Sequence, residues 1–84
     1  MFNSNKDVYD FVGKIIQLLD VNKYFDWSNK FRSALSISFM PGEVFSAIRQ
    51  CFIEIQATVV PQKIGMVNEI NTVIDVLNKA LRIE

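Results

Sequence analysis

Few side chains in this sequence belong to the types that carry out catalysis or bind metals. There is no histidine and a single cysteine, Cys51. The chain therefore lacks the usual general base near neutral pH, and the partner that activates a serine or cysteine nucleophile. One thiol without histidine cannot build a structural zinc site, and the three glycines are too scattered to form a phosphate-binding loop. We expect a protein that is not an enzyme and that binds no cofactor and no metal.

Asp7, Asp10 and Cys51 are the remaining candidates for chemistry. Asp7 and Asp10 are three residues apart on one helical face, close enough to share a proton or a cation. A helix cap at Asp7 and an i,i+4 pair between Asp10 and Lys14 account for them more simply. Cys51 lies within an apolar stripe, where a thiol usually packs as a small hydrophobic group. The sequence predicts structural roles for all three.

Length and charge indicate one neutral domain over residues 1–84. Half of the residues are hydrophobic and seven are Phe, which is enough material for one core. The nine basic and nine acidic side chains cancel. The basic side chains are spread along the chain and do not form the cluster that binds phosphates. We therefore expect no nucleic acid partner.

The chain carries no sequence signal for export or membrane insertion. No apolar stretch approaches the ~20 residues that cross a bilayer, and the N-terminal residues lack the basic start and apolar run of a signal peptide. A single cysteine, with no second one to form an internal disulfide, fits a reducing compartment. These features predict a cytoplasmic protein that does not contact a membrane.

The spacing of apolar residues predicts an all-α protein, a compact bundle of about four helices. The first helix opens at Ser4, with Asp7 completing an acidic variant of the capping box, and ends near 20–22. The second runs from about 22 to 36. The third extends from Pro41 to Val60-Pro61, because the residue before proline disfavours helical geometry, and the fourth begins near Gly65. The predicted buried stripes are Val8, Phe11, Val12, Ile15, Ile16 and Leu19; Tyr24, Trp27, Phe31, Ala34 and Leu35; Val44, Ile48, Cys51, Phe52, Ile55 and Val59; and Ile64, Val67, Ile70, Val73, Ile74, Leu77 and Leu81.

The apolar residues outnumber those that the four stripes use. Phe2, Phe25, Ile37, Phe39, Met40, Ile53 and Ile83 lie outside the stripes or at their margins. Three of them fall together in segment 35–40, which alternates apolar and polar residues and is predicted to be an extended connector. Clustered exposed apolar groups often mark protein interfaces, where aromatic, Met and Arg residues are enriched. Core packing remains an equal alternative for this segment. The candidate partner-binding residues are Phe25, Ile37, Phe39, Met40 and Arg49.

Several short segments resemble one group of small bacterial helical proteins. They are Trp27, Ala34-Leu35, Pro41-Gly42-Glu43-Val44 and Ile48-Arg49. In this group, a Trp-bearing helix leads through a connector to a helix that opens with an acidic residue. Across 12–81 the spacing is similar to that in proteins of the toxin-immunity type, including immunity proteins of contact-dependent growth inhibition. The resemblance implies a protein that binds a toxin domain and blocks it in the producing cell.

Two functional hypotheses follow. The first is a protein-binding inhibitor of the immunity type, whose partner is a toxin domain. The second is a structural or regulatory homo-oligomer, such as a homodimer whose surplus apolar groups pair across a two-fold axis. Inhibitors of cationic toxins are expected to be acidic, and this chain is neutral, so shape and apolar contacts should matter more than net charge.

Overall fold

The computed structural model describes residues 2–83 and places five helices in that part of the chain. They are α1 (Asn5–Val21), α2 (Phe25–Leu35), α3 (Pro41–Gln56), α4 (Val60–Lys63) and α5 (Val67–Ala80). α1 packs on α2, α2 on α3, and α3 on α5, while α4 is a short helix between α3 and α5. The prediction of an all-α compact bundle is confirmed. No helix within 2–83 combines the length and apolar character of a membrane span.

The start of α1 follows the predicted capping chemistry. Ser4 Oγ accepts a hydrogen bond from the backbone N–H of Asp7 at 3.4 Å, and Asp7 Oδ2 accepts one from the N–H of Asn3 at 2.7 Å. The first bond satisfies an N–H group that the first helical turn leaves without a partner. The second comes from Asn3, before the cap, and not from the N–H of Ser4 that a capping box uses. The expected pair of Asp10 with Lys14 is replaced by one with Lys6, whose Nζ lies 2.7 Å from Asp10 Oδ2.

The remaining helix boundaries differ from the predictions by a few residues. α2 begins at Phe25 because Lys23 turns the chain in the left-handed region, with φ 66°. α3 ends at Gln56, four residues before the predicted Val60. Thr58 explains this early end, since its hydroxyl donates to the carbonyl of Ile55 at 2.7 Å and accepts from the N–H of Val60 at 3.1 Å.

Two valines predicted to be buried are exposed as a result of these boundaries. Val59 falls in the turn after α3 and is 61% exposed. Val67 is the first residue of α5 rather than a position within it, because Gly65, with φ 69°, turns the chain just before the helix. Val60-Pro61 opens α4, where proline suits the first turn because its missing N–H has no partner there.

The core is built around aromatic rings from three helices. The Phe31 and Phe52 ring centres are 4.8 Å apart, and the Phe11 ring lies 5.8 Å from Phe52. All five helices contribute to one cluster of buried apolar side chains. Polar contacts join the helices at their edges: Arg32 binds Asp20 between α2 and α1, and Arg49 binds Asn78 between α3 and α5.

Candidate partner-binding site

A groove with a volume of about 900 Å³ runs between α2 and α3. A second hollow of about 690 Å³ adjoins it, since both are lined by Ile37 and Ala47. We call these two hollows together the α2–α3 groove. Its lining residues are Asp26, Trp27, Asn29, Lys30, Ser33, Ala34 and Ile37 from α2 and its end; Met40, Gly42, Glu43, Ser46, Ala47, Cys51 and Glu54 come from α3 and its start.

The groove exists because the facing side chains at its centre are small. Ala34 and Ser33 of α2 lie opposite Ala47 of α3, and such short side chains leave space between two packed helices. The helices run antiparallel: Lys30 contacts Glu54 near one end of the groove, and Ile37 and Met40 line the other end. Larger side chains therefore close the two ends, and the middle stays open.

The connector beside the groove carries three exposed apolar side chains. Ile37 is 63% exposed, Met40 is 62% exposed, and Phe39 is as exposed as a side chain can be, at 106% of the reference area. The N–H of Ile37 donates to Ala34 O at 3.4 Å, so the chain turns at the end of α2. Met40, at the other end of the connector, has extended backbone geometry, with φ −92° and ψ 119°. Of the two equal alternatives from the sequence, the exposure of these side chains fits the interface rather than the core, and a partner-binding role for them remains a prediction.

Phe25 lies at the opposite end of α2 from the connector. Ile37 follows it by 12 residues, so the two are separated by roughly 18 Å of helix. Phe25 is 54% exposed and lines a third hollow, which meets the α2–α3 groove at Asp26 and Trp27. Phe25, Ile37 and Met40 therefore all border one concave surface along the length of α2.

The structure does not bring Arg49 to this surface. Its guanidinium Nε donates a hydrogen bond to the side-chain oxygen of Asn78 on α5, and the side chain is half-buried. Arg49 thus joins α3 to α5 on a different side of α3 from the groove. The five residues proposed from the sequence separate into four beside the groove and one apart from it.

The α2–α3 groove carries an excess of negative charge. Its lining has three carboxylates, Asp26, Glu43 and Glu54, and one ammonium group, Lys30. Lys30 Nζ lies 3.6 Å from Glu54 and 4.7 Å from the centre of the Trp27 ring. Within residues 2–83, Asp26 and Glu43 form no ion pair. The α2–α3 groove therefore has a net charge of −2 although the whole chain is neutral. Lys23 lines the adjoining third hollow, beside Asp26.

Cys51 packs against the core, as predicted, and also forms part of the wall of the groove. Its side chain is half-buried, and Sγ contacts the carbonyl oxygen of Lys30 at 3.7 Å. Burial raises the pKa of the thiol, the Glu54 carboxylate raises it further, and Lys30 opposes them. The protonated thiol that results at neutral pH is a weak nucleophile. In the part of the chain that the structure describes, no three Cys, Asp or Glu side chains are grouped to hold a metal ion.

Sequence reasoning missed the groove itself. It placed Trp27, Ala34 and Cys51 in buried stripes, and all three do pack in or against the core. It did not predict that they also line a groove with Ala47. The available signal was the pair of small residues at Ser33-Ala34 and the matching pair at Ser46-Ala47, which fall at the edges of two predicted apolar faces. Comparisons of the chain with protein-family models, with curated proteins and with solved structures found no match.

Proposed function

We propose that this protein is a non-enzymatic binding module of the immunity type, which binds and neutralises a cognate bacterial toxin domain in the cytoplasm. The α2–α3 groove and the connector form the binding surface. The observation that carries the proposal is the exposure of Phe39 between Ile37 and Met40, beside a groove, in a protein that already has a filled core. Contiguous exposed apolar groups of this kind are typical of protein interfaces.

The energetics require the groove to take part in binding. Complete burial of Ile37, Phe39 and Met40 would contribute roughly 1.5–3 kcal/mol each. Association itself costs about 4–15 kcal/mol in lost translational and rotational freedom. The connector alone therefore does not support the roughly −12 kcal/mol of a nanomolar complex. Contacts along the groove, from Trp27 to Met40, supply the additional area.

The charge of the groove favours a foreign partner over a second copy of the chain. In a two-fold homodimer through this face, Asp26, Glu43 and Glu54 of one copy would approach the same carboxylates of the other. Like charges brought together at an interface oppose association. A toxin domain with a basic surface meets no such opposition, and it would be inhibited when this protein covers its active site or its partner surface.

The proposal is tested with the gene immediately upstream of the one that encodes this chain. We expect that gene to encode a large secreted protein with a C-terminal toxin domain. Expression of that domain in a bacterial host should stop growth, and co-expression of this chain should restore it, with the two purified proteins forming a 1:1 complex. A toxin domain that remains fully toxic and does not bind this chain would overturn the proposal.

A further inference from the structure

The α2–α3 groove has the length and shape to receive a helix. Its α3 wall extends from Glu43 to Glu54, 12 residues within α3, and its α2 wall extends from Asp26 to Ile37, two residues beyond the end of α2. The α3 wall is therefore about 16 Å long, or about three helical turns. The small side chains at the centre, Ala34 and Ala47, allow a third helix to approach both walls closely, as in ordinary helix packing.

The backbone of the walls excludes an added β-strand as the occupant. The walls lie in α2 and α3, whose N–H and C=O groups are already paired within the helices. An added strand needs an open sheet edge to satisfy its own backbone, and the described residues 2–83 contain no strand. A helix satisfies its backbone internally, so it can present side chains alone to the groove.

The negative charges of the groove favour a positively charged occupant. Because α2 and α3 are antiparallel, Asp26 and Glu43 lie at opposite ends of the groove, and neither has an ion-pair partner among the described residues. Each lies in the first turn of its helix, where a carboxylate complements the helix dipole. A helix lying between these two carboxylates is stabilised by a cationic side chain near each of its own ends.

We propose that the occupant of the α2–α3 groove is a basic amphipathic helix of the partner, which lies along the groove as an additional helix of the bundle. This inference rests on the proposed function and adds the chemistry of the partner's contact segment. Counting from a first basic residue i of the partner helix, apolar residues at i+3, i+4, i+7 and i+8 form a stripe that packs against Trp27, Ala47 and Ile37. Lys or Arg occupies positions i and i+11, which lie on one face of the helix about 16 Å apart.

The probes are three helix-stabilised synthetic peptides of equal length with this apolar stripe. The first has Arg at i and i+11, the second has Glu there, and the third has Gln. Binding is measured with the intact protein through the fluorescence of Trp27, the single tryptophan, which lines the groove, and through amide chemical shifts. We expect the Arg peptide to bind about tenfold more tightly than the Glu peptide at low salt, a ratio that falls as salt screens the charges.

Two variants locate the bound peptide. Ser33→Arg places a long cation into the groove from an exposed position of α2, and we expect it to reduce binding of the Arg peptide at least tenfold. Asn68→Arg makes a matched change at an exposed position of α5, and we expect wild-type binding. Circular dichroism of both variants should match that of the wild type, since each site is exposed.

The outcomes separate this inference from the proposed function. Equal binding of the Arg and Glu peptides, or equal effects of the two variants, overturns the inference, and relief of toxicity by this chain would still support the immunity role. Self-association that Ser33→Arg abolishes also overturns it, because the occupant is then a second copy. If the Arg peptide binds as expected but the toxin domain is neither bound nor inhibited, the groove chemistry stands and the immunity role fails.

Discussion

The ammonium group of Lys30 lies 4.7 Å from the centre of the Trp27 ring, one helical turn away on α2. The same ammonium is 3.6 Å from a carboxylate oxygen of Glu54 on α3. Lys30 thus bridges the two walls of the α2–α3 groove at one end, and its charge is already shared between a ring and a carboxylate. The groove consequently offers a partner more negative charge than positive.

Replacing Lys30 tests how much this bridge contributes to stability. The side chains of Lys30 and Glu54 are 54% and 43% exposed, and ion pairs of that exposure contribute little. We expect Lys30→Gln to lower the free energy of unfolding by at most about 1 kcal/mol, measured by urea denaturation. Lys79→Gln, at an exposed position of α5, is the control. A loss above about 2 kcal/mol would mean that the bridge holds α2 to α3.

Truncation of two phenylalanines should change the stability of the protein by very different amounts. Phe52 is fully buried and its ring contacts Phe31 and Phe11, so Phe52→Ala should destabilise the protein by about 3–5 kcal/mol. Phe39 is fully exposed, so Phe39→Ala should change the unfolding free energy by no more than about 0.5 kcal/mol. Both values come from urea titrations followed by circular dichroism. Similar losses in the two variants would contradict the placement of Phe39 outside the core.

Charged substitutions in the connector should weaken partner binding without unfolding the protein. Phe39→Asp and Met40→Asp each place a carboxylate where we propose an apolar contact, and moving a charge from water into an apolar contact costs affinity. We expect far-UV helicity to be unchanged and the affinity for the toxin domain to fall at least tenfold, measured by calorimetry. The control is Val59→Asp, which changes another exposed apolar side chain, away from the groove. This variant should bind the toxin domain with wild-type affinity. Unfolding of the connector variants would instead assign Phe39 and Met40 to the core.

The ion pair between Asp20 and Arg32 should make stability depend on pH in the acid range. The hydrogen bond from Arg32 lowers the pKa of Asp20 from its ordinary 3.8. Because the folded pKa is below the unfolded one, this stabilisation is complete above the unfolded pKa and is lost as the pH falls through the folded pKa. Wild-type protein should therefore exceed Asp20→Asn in unfolding free energy at pH 7, and the difference should disappear toward pH 2. A difference that stays constant with pH would contradict the assignment.

The fold was predictable from the sequence to a greater extent than the site. The 3–4 spacing of Val8, Phe11, Val12 and Ile15 and the cap at Ser4 are local signals, and the structure follows them. Helix ends were predicted less well, because the early end of α3 depends on two hydrogen bonds of the Thr58 hydroxyl. No periodicity encodes such bonds.

The burial of Ser28 and the existence of the groove could not be predicted from the apolar pattern of one helix at a time. Ser28 is fully buried because its hydroxyl can donate to Phe25 O and accept from Arg32, so a polar residue occupies a core position. The groove depends on which small residues of α2 meet Ala47 of α3. That register is set by packing between elements distant in sequence. For the connector, the sequence indicated exposure and core packing equally, because Ile37, Phe39 and Met40 belong to no helical stripe that would assign them to one side.

The central claim is that the connector and the α2–α3 groove contact the partner, and amide hydrogen exchange of the complex tests it most directly. The connector residues 36–40 lie outside the helices, so their amides should exchange rapidly in the free protein. With the toxin domain bound, we predict strong slowing of exchange across 36–40 and at the exposed ends of α2 and α3, with no change along α1 and α5. Slowing confined to α1 or α5, with the connector exchanging as fast as in the free protein, would contradict the account.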